Sequence, residues 1–222
     1  MFRSDSEWGS SLESGREGRT MSEMAAGQWR TVLDEAHTAL RTTVERVPAD
    51  AWERPTPCER WNVTQVLQHA TGDQLAFAAA IDGGPGPAED PFAPSGQVDG
   101  DKLAGLRAAL DASARAWNGV ADDDPAVPTP LPQGKLPAEV GAVACALDAA
   151  VHAWDIAVAT GQPSPLGADL ARPLLVVARQ IVEPLRAYGA YAPAIEPAAE
   201  ADEVATLLSY LGRDPRWPGV QL

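Results

Sequence analysis

Residues 145–162 read "CALDAAVHAWDIAVATGQ". Apart from Asp148, His152 and Asp155, the run from Cys145 to Ala159 is apolar, and these three stand four and three residues apart. At roughly 100° per residue on a helix they fall within about 60° of one another, on one face. Pro137 before the stretch and Gly161 after it are natural bounds, so the sequence predicts a helix from near Pro137 to about Thr160. An imidazole and a carboxylate one turn apart can hold a divalent ion, because one rigid helix supplies two ligands. The same spacing also serves a surface or hydrogen-bonded pair. Asp155 is the second carboxylate in reach.

Helical spacing continues on both sides of this segment. Val32, Leu33, Leu40, Val44 and Val47 mark a first helix from Gln28 to Arg46, and His37 falls on its buried side. "RPTPCERW", 54–61, is a connection. Asn62 with Gln65 three residues on has the capping-box spacing, and the stripe Val63, Val66, Leu67, Ala70, Phe77 and Ile81 then defines a second helix carrying His69 and Asp73. A third helix is expected over Lys102 to Val120, with further helical runs at 168–188 and 201–211; Pro184 is expected to kink or break the former. Two Pro/Gly-rich stretches, 82–96 and 121–137, are long loops. No sustained alternation, hairpin signal or internal repeat occurs. The class is all-α, a helix bundle with long crossover loops and additional C-terminal helical segments.

Composition bounds the function. The 222 residues carry 17 basic and 31 acidic side chains, a net charge of −14 that disfavours nucleic acid. No apolar run is read as approaching the roughly 20 residues of a membrane span, and residues 1–20 lack the apolar centre of a signal peptide. A cytoplasmic protein without membrane partner is expected. Residues 1–20 read as a flexible extension, with Met1, Met21 and Met24 all eligible as the start, and residues 21–222 as a single domain. Cys58 and Cys145 form no disulfide framework and are read as reduced, Cys145 as a small core residue.

A third ligand for the ion must come from another helix, and His69 is the best placed of the two remaining histidines. Three protein ligands leave one position open, the arrangement of a catalytic metal site. His37 facing the cavity is a candidate general base, and Asp155 a second acid/base group.

"TPCERWNVTQVLQHATGDQLAFAAAI" (56–81), "DAAVHAWDIAVATGQP" (148–163) and "LLSYLGRDPRW" (207–217) together resemble the hallmark segments of actinobacterial metal-binding proteins related to mycothiol-dependent maleylpyruvate isomerase, in the DinB-like superfamily. The resemblance runs in order from about residue 25 to the C-terminus. It implies a DinB-like four-helix bundle, with His69, Asp148 and His152 as metal ligands. Aspartate at 148 departs from the family's usual glutamate and shortens the ligand arm by one methylene. Zinc suits a nitrogen- and oxygen-ligated site, with nickel or iron as alternatives. The resemblance also implies that Thr56, Pro57 and Trp61 shape the lead-in loop, with Cys58 structural rather than nucleophilic. Mycothiol is implied as co-substrate and a small organic molecule as substrate; the reading adds a homodimer. The isomerase proper is expected to have a further C-terminal domain for which this chain is too short. Three functions follow: a metal-dependent, thiol-dependent transferase or isomerase; a bundle whose cavity serves as cyclase, dehydratase or hydrolase with metal optional; or a non-catalytic metal or ligand binder.

Overall fold

A computed structural model describes residues 27–218. The extension expected at 1–20 and the alternative start residues lie outside them. In chain order the elements are α1 (Gln28–Glu45), α2 (Val63–Asp82), α3 (Lys102–Asn118), β1 (Val127–Pro128), β2 (Lys135–Leu136), α4 (Ala138–Ala159), α5 (Ala168–Ala187) and α6 (Glu203–Tyr210).

The bundle is organised around α4. From Ala138 to Ala159 all but Glu139, Asp148 and Val158 are buried, because alanines on every side let α1, α2 and α5 pack directly against the helix. This helix is 22 residues long, with a mean hydropathy of 1.5 over its most apolar window. By length and composition it does reach the dimensions of a membrane span, contrary to the expectation from the sequence. Most of that window is buried among the other helices, which is the position of a core helix. Gly161, at φ 74, adopts the left-handed conformation just after the C-cap Thr160, where the sequence placed the stop.

The start of α2 follows the capping-box reading: the Asn62 side chain accepts from the Gln65 N–H and the Gln65 side chain accepts from the Asn62 N–H. Capping at this point fixes the phase of α2, and hence the direction in which His69 points. α3 stops at Asn118 rather than Val120. The 121–137 loop contains a two-residue antiparallel hairpin, β1–β2, that the sequence reading missed. Two-residue strands are too short to show alternation.

Pro184 neither breaks nor ends α5, which runs on to Ala187. It lies in the last turn on an exposed face, where the one backbone bond it removes leaves a carbonyl that water can satisfy. α5 and α6 pack together, and α5 also lies against α4, which brings the 188–217 region over the end of the bundle that carries His152.

Candidate metal centre

His69 on α2 and Asp148 and His152 on α4 converge in the interior, their ligand atoms all within 4.8 Å of one another. Asp148 Oδ1 lies 3.4 Å from His69 Nε2 and 3.4 Å from His152 Nε2. Ligands held about 2.1 Å from a tetrahedral ion stand about 3.4 Å from each other. The Asp148 carboxylate therefore lies within reach of both imidazoles.

The rear nitrogen of each ring is committed. His69 Nδ1–H donates to the Pro91 carbonyl at 2.9 Å, and His152 Nδ1–H donates to Asp155 Oδ2 at 2.9 Å. Neutral rings so held turn bare Nε2 lone pairs towards a carboxylate oxygen. Three acceptors facing one another are stable only around a cation, either a proton or a metal. Among the described residues Asp148 Oδ2 is buried without a hydrogen-bond donor, save the neighbouring Asp73 carboxyl when that group holds a proton, and a buried acceptor left unmet costs about 1–3 kcal/mol. Among the described residues the ion pairs of Asp148 and Asp73 are with imidazoles alone, so a dication would balance two carboxylates. On all three counts the residues fit a divalent metal.

The ionisation of the chain by itself reflects the same crowding. Burial opposes the imidazolium of His152, but Asp148 and then Asp155 outweigh it and lift the group to about 10. Burial likewise opposes the Asp148 carboxylate, yet the two histidines hold it well below the usual carboxylate range. Asp73 is pushed up to about 7, by burial first and by the neighbouring Asp148 second. Its Oδ2 is 3.8 Å from His69 Nε2, so it borders the three without joining them.

Asp155, expected as an acid/base group, sits fully buried behind His152, and both of its oxygens are engaged. Arg213 grips both of its oxygens, Nε donating to Oδ1 at 3.0 Å and to Oδ2 at 3.3 Å and Nη2 donating to Oδ2 at 2.9 Å. Burial disfavours the charge on Asp155, but Arg213 and His152 prevail and keep its carboxyl low. Arg213 is the important residue that sequence reasoning missed. It lies within the quoted "LLSYLGRDPRW", and a buried aspartate in an apolar helix demands a cationic partner somewhere.

His37 stands apart from the three. Its Nε2–H donates to Gln74 Oε1 at 2.8 Å, and that oxygen also accepts from Ser113 Oγ and Cys145 Sγ, both at 3.1 Å. Gln74 Nε2 donates to the Cys145 carbonyl. Burial lowers the pKa of His37, against a smaller opposing effect of Gln74. Cys145 is buried and its thiol is pushed up to about 12 by that burial.

Trp61 and Phe92 line His69, with ring centroids 4.7 and 5.4 Å away. The lead-in loop is pinned by Thr56 Oγ1, which donates to the Trp61 carbonyl and accepts from the Cys58 N–H. Burial, then Asp155, raises the pKa of Cys58, so it is not an activated thiol. Tyr191 comes from the segment after α5, and burial and then Asp148 push its hydroxyl up. Gly212, at φ 79, makes room for that segment: a Cβ there would stand 2.7 Å from the Ala192 carbonyl oxygen.

The chain is a helical bundle in which two histidines and a carboxylate from two central helices converge on a site that could hold a metal ion. The sequence matches the family Mycothiol maleylpyruvate isomerase N-terminal domain over residues 33–157, and the chain belongs to that family. Two uncharacterized proteins of Mycobacterium tuberculosis, from strains CDC 1551 and H37Rv, are each 32% identical over 153 residues, covering 67% of this chain and 76% of theirs. Among solved structures, the mycothiol-dependent maleylpyruvate isomerase matches with a TM-score of 0.59 at 15% identity, over 82% of this chain and 80% of that one. A histidine-to-alanine mutant of that enzyme gives 0.55 at 14% identity. The fold is therefore that of the isomerase.

Proposed function

We propose that the chain is a metal-dependent enzyme acting on a small organic molecule, a mycothiol-dependent transferase or isomerase. The observation that carries this reading is the orphaned Asp148 Oδ2 beside two imidazoles whose rear nitrogens are already anchored. Family membership supplies the thiol. His69, Asp148 and His152 would hold the ion, zinc by the chemistry of the donor set, with nickel or iron as alternatives. When bound, such an ion lowers the pKa of a thiol or water in its open position and polarises a carbonyl.

The protein's own residues do the positioning. Asp155 and the Pro91 carbonyl fix the planes of the two rings, and Arg213 keeps Asp155 ionised. Asp73, whose carboxyl is held up by burial and by Asp148, would give up its proton to a bound dication and so bring a second negative charge to the centre. Trp61 and Phe92 set their rings against His69 and restrict how that ring can turn.

The test is elemental analysis of protein purified without a histidine tag, followed by cobalt substitution. Close to one equivalent of metal per chain is expected, lost in His152→Ala, with a thiolate-to-cobalt charge-transfer band on adding mycothiol. Sub-stoichiometric metal unchanged in His152→Ala would sink the metal reading. A loaded protein whose spectrum ignores mycothiol would remove the thiol from it.

A further inference from the structure

One face of α2 is clasped by the loop that follows it. Gln65, Gln68, His69 and Gly72 lie at helical spacing i, i+3, i+4 and i+7, so they form a single stripe. Gln65 Nε2 donates to the Pro94 carbonyl at 3.1 Å, and Gln68 Nε2 donates to the Gln97 carbonyl at 2.8 Å. The Gly96 N–H donates back to Gln68 Oε1 at 2.7 Å. Further along the stripe, His69 Nδ1–H reaches the Pro91 carbonyl.

At the next turn there is no side chain. A Cβ on Gly72 would stand 2.9 Å from Pro91 Cγ and 3.2 Å from Pro91 Cβ, closer than packed carbons come. The obstacle is a closed ring, flanked on the same side by Pro87 at 3.6 Å, so it cannot swing aside as a flexible side chain would. Glycine in a helix interior is itself unfavourable. Its presence in the middle of α2, facing Pro91, calls for a close approach that no other residue permits.

We propose that Gly72 is a positioning residue of the metal centre. The missing side chain seats Pro91 against α2, and the seated carbonyl holds the His69 ring so that Nε2 faces Asp148 and the ion. The inference rests on the metal reading of the preceding section. It extends that reading to a backbone acceptor and to a residue that touches neither metal nor ligand.

Three variants test it: Gly72→Ala, Pro91→Gly, and the two combined. Pro91→Gly keeps the carbonyl but removes the ring atoms that a Cβ at 72 would meet. Each is titrated with Co2+ by absorption, and the His69 ring is followed in metal-free protein by long-range proton–nitrogen correlation spectra. Gly72→Ala should weaken cobalt binding about 10- to 100-fold, the effect of losing an outer-sphere partner, and should alter the His69 Nδ1–H signal. The combined variant should return to within about threefold of the wild type, although Gly72→Ala alone favours the helix. Wild-type affinity and unchanged His69 signals in Gly72→Ala overturn the inference. So does a combined variant as weak as Gly72→Ala while Pro91→Gly alone binds normally. If the wild type binds no cobalt the metal reading fails, and the ring signals still decide the role of Gly72.

Discussion

The Asp155–Arg213 pair can be separated into a stabilising and a positioning function. Asp155 is fully buried and Arg213 nearly so, 58 residues apart in sequence. Arg213→Met leaves the carboxylate in an apolar interior with only His152 to answer it. Breaking a buried pair by removing one partner costs about 3–5 kcal/mol. For a chain of this size each kcal/mol lowers the melting temperature by about 2–4 °C, so a fall of about 6–20 °C is expected in metal-free protein. Replacing both, as Asp155→Leu with Arg213→Met, removes the unpaired charge and should recover most of that stability. It should not recover metal binding, because His152 Nδ1 then has no acceptor and its ring is free to turn; a loss of about 10- to 100-fold in affinity is expected. Urea denaturation of the single and double variants, with zinc affinity from competition against a chelating dye, gives both quantities. A destabilisation of Arg213→Met below about 1 kcal/mol would refute the buried-pair reasoning. Full metal affinity in the double variant would refute the positioning of His152.

Gln74→Leu should destabilise the chain by at least about 2 kcal/mol, since it strips partners from His37, Ser113 and Cys145 at once, while metal affinity stays within about threefold. A large loss of metal with little loss of stability would place Gln74 in the centre instead. In metal-free protein His152 and Asp73 both have raised folded pKa values, to about 10 and about 7. Each therefore contributes stability that is present below its unfolded value and lost as pH rises through the folded one. The melting temperature of metal-free protein should fall between about pH 7 and 10 through His152; Asp73 acts in the same direction between about pH 4 and 7, where the lowered His37 opposes it, while the lowered Asp155 and Asp148 act only below about pH 4. Added zinc should flatten the upper decline, because metal replaces the proton. Calorimetry across that range checks this, and a melting temperature independent of pH above 7 would contradict it.

The helices were legible because their apolar stripes are long and their stops are glycines and prolines. Asn62 with Gln65 located the start of α2 to the residue. His69, Asp148 and His152 were legible as candidates because histidine is scarce here and one helix sets two of them in phase; the structure brings the three together. The groups that orient them were not. Pro91 acts through a carbonyl oxygen, which has no side-chain signature, and Arg213 meets Asp155 only after α5 and α6 have folded back. Gln74 reads as an ordinary helix residue until four helices close around it. Asp155 and His37 were legible as interior groups, but spacing could not tell a group facing a cavity from one already satisfied behind it. Pro184 misled because the cost of proline depends on whether water reaches the freed carbonyl, which depends on the helix's place in the bundle.

The near-complete burial of α4 also governs how the centre would exchange its ion with solvent. Two of the three candidate ligands ride on the helix that contacts most of the others, far from any fraying end. Loosening the 83–101 loop would free the rear nitrogen of the His69 ring, whereas Asp148 and His152 sit on a helix packed on nearly every side. Bound metal would then slow the exchange of every deeply protected amide in α4 by one common factor, and leave the loop amides almost unchanged.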